Sequence, residues 1–434
     1  MQLPPGCPDP KKFPLWPAIA ITILTAAGFA IFKFVLLSEI ALDITTAEKT
    51  LPFEFLRLFV QSHPGIDLKE SVMQGLAAIL TAGVLVGYLM NAPLAEAWRC
   101  SRLFVLSCLG MALVSLMAIP SVLNPWISAF LMGGIYGTAC AARGKTIPLL
   151  ALGNGRHNTL VNGIMNASLV VGLLGGIILG GFISISFVGD TNTSAGKILD
   201  ADWMAHVVLS VMLVIATLVG LRLRVPEQPH QSFGVALKHL LSSTVTLSHR
   251  YWSLLLSGGI AWGISTAFGL ALVINVVTTC HLKYDTAVSL GAFGAVGAIL
   301  GSTVSDWFAR RRWVISGFLI LAGVIFAIPH LVVGYWSAAL LTLLFGFFFM
   351  VPTNIIDARF LALAARDGMA GYGGSVFSLI HNIFILLIST GLAVALFVGS
   401  IKADHQFIVL AVFAVLAAAF AGVAKLSDHD AGEA

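Results

Sequence analysis

The feature of this sequence that most restricts its fold is a series of about twelve long apolar runs separated by short polar connections. A helix of about 20 mostly apolar residues crosses the hydrocarbon core of a membrane, and the runs have that length. Only 10% of the residues are charged and 58% are hydrophobic, whereas a soluble domain carries about 25% charged residues. The sequence therefore predicts an all-α polytopic membrane protein with twelve transmembrane helices. The predicted spans are 15–38, 72–96, 102–121, 125–148, 158–187, 204–222, 253–279, 286–307, 313–333, 336–357, 374–399 and 405–425.

The basic residues predict how these spans are oriented. With a cytoplasmic N-terminus, 17 Lys and Arg fall on cytoplasmic segments and six fall outside. This bias is the positive-inside pattern, and an even number of spans then places both termini in the cytoplasm. The net charge of +4 follows from this topology, so we expect no nucleic-acid partner. The five cysteines are scattered, and no metal site, disulfide framework or cofactor is predicted.

Two stretches of the chain repeat one another 210 residues apart, NAPLAEAWRCSR ending at Arg102 and GSTVSDWFARRR ending at Arg312. Glu96 matches Asp306, and Arg102 matches Arg312, at that same offset. The repeat predicts two six-helix halves, with residues 1–221 as the N-terminal half, 222–250 as a cytoplasmic linker, and 251–434 as the C-terminal half and tail. The pattern from 233 to 247 is compatible with a short helix in the cytoplasmic interface or with a solvated loop.

Lys33 lies inside the predicted span 15–38, and it is the one basic residue that is counted on neither side of the membrane. An ionised side chain within a span costs about 2.5–3.5 kcal/mol on insertion scales, so such residues usually face a cavity or a partner. Lys33 is therefore a candidate ligand for an anionic headgroup. The alternative is that its long stem reaches the outer interface, because the residue lies near the outer end of its span.

Other polar side chains within the spans are candidate substrate ligands. Asn162 and Asn166 are four residues apart and share a helix face, which could line a cavity or bond a neighbouring helix. His381 could couple proton movement to transport, or it could simply be hydrogen-bonded within the bundle. The complete set of candidates is Lys33, Asn162, Asn166, Asn354, His381 and Asn382.

Twelve spans, two parallel halves and the duplicated acidic and basic loop resemble the major facilitator superfamily, in which this loop has a G-x-L-A-D-x-x-G-R-R/K pattern. The second copy keeps Gly301, Asp306 and the run Arg310 to Arg312, whereas the first copy has Ala92 and Glu96 instead of the glycine and aspartate. The resemblance implies a cytoplasmic gate, in which the acid caps a helix N-terminus or pairs with basic residues. The alternative is that these are ordinary topogenic charges. The predicted gating residues are Glu96, Arg102, Arg143, Asp306, Arg310, Arg312, Asp357 and Arg359.

Within that superfamily, several patches are similar to the lysophospholipid transporter family. They are GFAIFK from Gly28 to Lys33, ARGKTIP from Ala142 to Pro148, NGIMNASLVVGLLGGIILGG from Asn162 to Gly181, GFFFMVPTN from Gly346 to Asn354, and GYGGSVFSLIHN from Gly371 to Asn382. The first helix departs from the family pattern, because Gly28, Phe29 and Ala30 replace its N-D-N sequence and remove its acid. Arg143 stands where the family has a lysine, which keeps the charge but changes the donor geometry.

The resemblance implies a secondary transporter that moves a lysophospholipid across the bacterial inner membrane by alternating access, with Lys33 binding the phosphate. The alternative is a related transporter of another small amphipathic molecule, such as a drug, siderophore or metabolite, with or without coupling to protons. An enzyme is not expected, since the sequence has no H-x-x-x-x-D pair typical of the acyltransferases fused to some family members and no phosphate-binding loop. We expect a monomer within the lipid bilayer.

Overall fold

The computed structural model describes residues 13–36, 68–118, 123–154, 196–226, 232–279, 284–308, 312–328, 334–367, 369–402 and 405–424, together with separate residues between 161 and 180. Within these ranges all regular secondary structure is helical, which confirms the all-α class. The long apolar runs form helices because a backbone in an apolar environment must satisfy its hydrogen bonds internally.

The structure describes six helical segments before the linker. They are α1 Trp16–Ala30, which continues as the π-helical segment Ile31–Leu36, then α2 Leu68–Ala97, α3 Cys100–Met117, α4 Pro125–Asn154, α5 for the helical residues described between 161 and 180, and α6 Gly196–Gly220. The linker contains α7 Phe233–Arg250. After it come α8 Trp252–Thr279, α9 Tyr284–Phe308, α10 Arg312–Phe326, α11 Tyr335–Arg366, α12 Ala370–Phe397 and α13 His405–Val423.

Six of these helices contain described stretches that are long and apolar enough to cross a membrane, namely α1, α2, α3, α11, α12 and α13. Shorter apolar stretches lie in α6, α9 and α10. Some helix ends differ from the predicted spans: α11 extends from the predicted 357 to Arg366, α4 extends from 148 to Asn154, and α10 ends at Phe326 rather than 333. Helical hydrogen bonding does not stop where apolar sequence stops, so hydropathy marks the apolar part of a helix and not its ends.

The linker forms a helix and not a solvated loop. Ala236, Leu240, Ser243 and Leu247 are buried at helical spacing, and α7 packs against both α2 and α12. We call the side of the bundle on which α7 lies the linker side, and the opposite side the far side. Helix α2 ends on the linker side and α12 begins there, because Pro93 and Tyr372 both line a small cleft with α7.

Glycines bring one pair of helices into close contact in each half. A Cβ added to Gly87 in α2 would collide with the backbone carbonyl of Gly134 in α4, and one added to Gly346 in α11 would collide with the carbonyl of Gly294 in α9. Only glycine allows the two backbones to approach this closely. The α2/α4 crossing therefore has a counterpart in the α9/α11 crossing, so the duplication extends from the loop sequence to helix packing.

The buried apolar residues form three clusters. Two clusters consist of residues between Ala18 and Leu223, and the third consists of residues between Leu247 and Ala421. Apart from Phe397 of α12, which packs against one of the first two clusters, each cluster is made of residues from one side of the linker or from the linker itself. This grouping is compatible with two separate halves. The division of the chain at 222–250 remains a prediction.

Candidate functional site

Lys33 lies in the π-helical segment that continues α1 towards the far side. Its side chain is only 8% exposed, and its ammonium lies 6.0 Å from the centre of the Phe29 ring. Such a distance is at the limit for a cation–π contact, which is stronger for a desolvated cation. The burial of Lys33 argues against a side chain that extends freely into interfacial water.

An aromatic stack adjoins Lys33 between α1 and α4. The rings of Phe29 and Tyr136 lie 3.7 Å apart between centres and are within 8° of parallel. The Tyr136 hydroxyl and the Cys140 thiol, one turn further along α4, are close enough to hydrogen-bond. The stack therefore connects the Lys33 region to the polar face of α4.

Arg143 continues this polar face of α4 towards the linker side. Its side chain interacts electrostatically with those of Tyr88, Tyr136 and Cys140. Its Nε and one Nη are buried and have no hydrogen-bond partner in the part of the chain that the structure describes. Arg143 as a whole is half-buried, and buried guanidinium donors are costly unless an anion or water occupies the space beside them.

Lys33, Phe29, Tyr136 and Arg143 together form what we call the cation wall. Lys33 lies one turn beyond Phe29 towards the far side, and Arg143 lies two turns beyond Tyr136 towards the linker side. At about 1.5 Å of rise per residue, the two cations are separated by about 16 Å along the bundle, which is about half of the hydrocarbon thickness. The wall can therefore offer an anion two successive binding positions.

His381 lies in a separate cluster between α8, α11 and α12. Its ring is 3.8 Å from that of Phe377 and 5.7 Å from that of Trp262, which in turn contacts Phe349 at 5.5 Å. His381 Nε2 and the Trp262 indole nitrogen are buried and have no hydrogen-bond partner among the described residues. This aromatic cluster has two unused polar groups but no cation.

The other predicted substrate ligands are less informative. Asn382 donates a hydrogen bond to the carbonyl of Ser378 in its own helix, at 2.8 Å, and Asn354 is half-buried on α11. Asn162 and Asn166 lie outside the described residues. The described candidates thus fall into two groups, with Lys33 in the cation wall and His381 in the aromatic cluster, and their common role in binding remains a prediction.

The duplicated loop has the same helical context in both halves. Glu96 lies in the last turn of α2 and Asp306 in the last turn of α9, while Arg102 and Arg312 lie in the first turn of the following helices. An acid in the last turn opposes the dipole of its own helix, so any helix N-terminus that it caps must belong to another helix. Arg102 is exposed. Arg310 and the side chains of Glu96, Asp306 and Arg312 lie outside the structural description, so their gating role remains a prediction.

Two predicted gating residues lie further inside α11 than its predicted end implies. Because α11 continues to Arg366, Asp357 and Arg359 lie about two turns before its end. Asp357 Oδ1 is buried and has no hydrogen-bond partner in the described ranges, although the residue as a whole is half-buried. A polar oxygen buried without a partner is costly, and the gating role of Asp357 and Arg359 remains a prediction.

Hydrogen bonds connect the helices on either side of the linker near the far side of the bundle. The Ser71 hydroxyl donates to the carbonyl of Ala393 at 2.9 Å, and the Gln74 amide donates to the carbonyl of Ala267 at 3.1 Å. Both polar side chains are buried. Nearer the linker side, Ser375 and Ser378 of α12 lie within hydrogen-bonding reach of Tyr88. These contacts hold α2 against α8 and α12.

Several of these residues were not predicted from the sequence. Tyr136 and Trp262 are aromatic residues within apolar runs, where most aromatic residues only fill the core. Ser71 and Gln74 lie just inside the second predicted span, or before it, where polar residues are common. No spacing or composition distinguishes them, because their roles depend on partners that are distant in sequence.

Comparison with known proteins identifies a family and relatives that match much of the chain. Residues 15–389 match the family model of the Major Facilitator Superfamily. The lysophospholipid transporter LplT of Photorhabdus laumondii is 26% identical over 283 residues, which cover 61% of this chain and 65% of that protein. The transporter of the same name from Serratia proteamaculans is 24% identical over 64% of this chain and 70% of that protein.

Solved structures share the fold at much lower sequence identity. The Escherichia coli fucose:proton symporter FucP, as an N162A variant, has a TM-score of 0.63 and 13% identity over 95% of this chain and 99% of that protein. A bacterial homologue of the human lysosomal transporter Spinster has a TM-score of 0.63 and 13% identity over 94% of this chain and 96% of that protein. The nucleoside transporter NupG also matches, with a TM-score of 0.63 and 11% identity over 95% of this chain.

Proposed function

The chain belongs to the Major Facilitator Superfamily, and on that basis we propose that it is a secondary transporter of lysophospholipid in the bacterial inner membrane. It has the twelve-helix fold of that superfamily. Lysophospholipid as the substrate is supported by the relatives that carry the name lysophospholipid transporter. Their sequences are 24–26% identical to this chain over part of their length. The matched family and the solved structures are transporters, and we propose no catalytic role.

The observation that carries this proposal is the cation wall. A lysophospholipid has a phosphate, which needs a cation, and a single acyl chain, which needs an apolar surface. Lys33 is buried beside an aromatic stack, and Arg143 beyond the stack has unused donors. A phosphate that left Lys33 would therefore meet a second cation on the same wall.

We propose that the two cations act in succession. When the far side is open, the phosphate binds Lys33, and the acyl chain lies along the aromatic rings. When the halves rock and the linker side opens, the phosphate passes the Phe29 and Tyr136 stack and binds Arg143. Arginine offers a planar set of donors that matches phosphate oxygens, so it is suited to this second position.

The aromatic cluster on α8, α11 and α12 would form the opposite wall. Trp262, Phe349 and Phe377 offer apolar surface, while His381 Nε2 and the Trp262 indole nitrogen offer polar groups without described partners. We propose that these groups contact the glycerol portion of the substrate. In this arrangement the charge of the headgroup stays with the first half of the chain.

We also propose how the two halves are oriented in the membrane and which loops close the cytoplasmic side. Residues 1–221 and 251–434 form the two halves, 222–250 joins them, and the linker side faces the cytoplasm together with both termini. The two duplicated loops, with Glu96 and Asp306, would close that side, and Asp357 would receive a partner there. The protein would act as a monomer.

The experiment that tests this proposal measures uptake of labelled lysophosphatidylethanolamine into proteoliposomes. Lys33→Met and Arg143→Met should each lower the uptake rate about tenfold or more, because a charge-assisted hydrogen bond contributes about 1.5–3 kcal/mol. Lys402→Met is the matched control, since Lys402 is exposed beyond α12 and should tolerate the change. Unchanged uptake by both wall variants, at normal protein levels, would rule out the cation wall as the phosphate site.

A second candidate function is transport of another small amphipathic substrate coupled to protons. The observations that favour it are the missing acid on the first helix, where Gly28, Phe29 and Ala30 stand, and the unpartnered His381 Nε2. Uptake of lysolipid and of a panel of amphipathic drugs and metabolites, each with and without a proton gradient, separates the two functions. Proton-dependent uptake of a panel compound that His381→Gln abolishes, with no lysolipid uptake, would establish the second.

A further inference from the structure

Helix α7 has three distinct faces. The first face is buried against the bundle, and its residues are Ala236, Leu240, Ser243 and Leu247. The second face is apolar and includes Leu241, which is 51% exposed, and Val245, which is 71% exposed. The third face is mostly polar, with exposed Lys238, Ser242, Thr246 and His249. An amphipathic helix at the edge of a soluble protein needs only two faces, so the exposed apolar face needs an explanation.

The three faces occupy different sectors of the helix. With about 3.6 residues per turn, successive residues are rotated by about 100°. With Leu237 included in the apolar face, the centres of the protein, apolar and polar faces are then about 95–135° apart. Three separate sectors are what a helix requires when it lies where protein, hydrocarbon and water meet.

The depth of α7 along the bundle axis agrees with a location at the boundary between protein, hydrocarbon and water. Only Tyr251 separates α7 from α8, and the next residue, Trp252, is 47% exposed. Exposed tryptophans are enriched where the bilayer meets water. The other described tryptophans exposed at linker-side helix ends are Trp16, Trp98, Trp307 and Trp313. The C-terminal end of α7 therefore lies at the level of the lipid headgroups.

The charges near α7 determine which lipids it suits. Lys238 and His249 lie on the polar face, and Arg222 and Arg224 precede the helix, and all four are exposed. The helix itself contains no Asp or Glu. An apolar stripe bordered by basic residues is typical of helices that bind anionic membrane surfaces.

From this geometry we infer that α7 is embedded in the headgroup layer of the leaflet on the linker side and binds anionic lipid there. Leu237, Leu241 and Val245 enter the boundary of the acyl chains, while Lys238 and His249 contact the anionic headgroups. This surface is separate from the substrate site of the cation wall.

The contact between α7 and the lipid headgroups connects the membrane to both halves of the protein. Helix α7 packs against α2 and against α12, and its C-terminal end is fixed by an ion pair between Arg250 and Asp367 at 3.0 Å. A helix held in the leaflet in this way limits how far α2 and α12 can separate on the linker side. Anionic lipid should therefore favour the state in which that side is closed.

The test places a nitroxide spin label on the full-length protein in vesicles, at Val245→Cys or at its neighbour Thr246→Cys. Labelling of the unsubstituted protein gives the background from its own cysteines. Collisions with oxygen report hydrocarbon, and collisions with a water-soluble nickel chelate report water. Label at position 245 should collide with oxygen at least about threefold more than label at 246, and the nickel chelate should show the reverse.

The lipid charge is tested with the same labels. Vesicles of phosphatidylethanolamine with 30% phosphatidylglycerol, chosen as about a physiological share, should place the label at 245 deeper than vesicles of zwitterionic lipid alone. Lys238→Gln should remove that difference, and Lys402→Gln should retain it. If the labels at 245 and 246 are equally exposed to the nickel chelate, α7 does not lie in the leaflet. If both labels are shielded from both reagents, a protein partner covers this face, and the leaflet position is again wrong. Equal depth in the two lipids would overturn the anionic contact.

Discussion

At the scale of the residue, a charged side chain within the apolar bundle marks a candidate binding position, and Lys33 is such a residue. Lys33 was found from its sequence, because a lysine inside an apolar run is costly. Arg143 was expected to be a gate residue, and only the structure places it with Tyr136 on the same wall as Lys33. The sequence could not show this, because the 3.6-residue periodicity of a helix reveals which residues share a face but not which neighbouring helix that face contacts.

A second residue-scale feature is the cluster that fixes the end of α7. Tyr251 donates a hydrogen bond to Asp367 at 2.8 Å, and Arg250 pairs with the other carboxylate oxygen at 3.0 Å. Burial, together with the hydrogen bond to Asp367 and the charge of that carboxylate, raises the pKa of Tyr251 above its ordinary value. The folded protein therefore holds the tyrosine proton more tightly than the unfolded chain does.

We predict that Tyr251→Phe lowers the free energy of unfolding by about 1 kcal/mol between pH 6 and 8, because one hydrogen bond is lost. A group with a raised pKa stabilises the fold fully below its unfolded pKa of about 10, and this contribution disappears as the pH rises through the folded value. Thermal unfolding in detergent at several pH values measures the effect. A difference between wild type and variant that grows above pH 10 would contradict this reasoning.

At the scale of the element, glycines determine which helices cross closely. Gly172 and Gly176 bring α5 close to α1, because an added Cβ at either position would collide with a backbone carbonyl of α1. The crossings of α2 with α4 and of α9 with α11 were not predicted. Glycines are frequent along this chain, and their pattern does not identify the partner helix.

We predict that Gly346→Ala destabilises the protein by about 1–3 kcal/mol, because its Cβ would collide with the carbonyl of Gly294. Gly391→Ala is the matched control, since it lies in the adjacent helix α12 with no atom within 4 Å of an added Cβ. That control should be neutral or stabilising by up to about 1 kcal/mol from helix propensity. Thermal unfolding of both variants in detergent is the measurement, and similar losses in both would show that the crossing does not depend on close approach.

At the scale of the whole molecule, polar contacts join helices from the two sides of the linker. Ser71 and Gln74 bond to backbone carbonyls of α12 and α8 near the far side. A transporter needs such contacts to be weak, because alternating access requires them to break in every cycle. One hydrogen bond contributes about 1 kcal/mol, which is enough to shift a two-state equilibrium about fivefold.

We predict that Gln74→Leu increases the population that is open on the far side by about fivefold, because it removes the bond to Ala267. Pulsed electron paramagnetic resonance measures the distance distribution between spin labels at positions 117 and 398, and from it that population. Met117 and Val398 are both exposed near the far side. Thr81→Val is the control, because the Thr81 hydroxyl bonds to Ala77 in its own helix at 2.8 Å. A distance distribution that Gln74→Leu leaves unchanged would show that this bond does not hold the far side closed.

The sequence by itself determined that the protein spans a membrane, that its chain contains a duplicated unit, and that one lysine lies where a charge is costly. These properties depend on the transfer of each segment from water to lipid, which is a local quantity. The tertiary structure alone decided that Lys33, Phe29, Tyr136 and Arg143 form one wall and that α7 joins α2 to α12. Those properties depend on pairwise packing, because every face of an apolar helix is equally stable in lipid and only a fitting neighbour distinguishes one face from another.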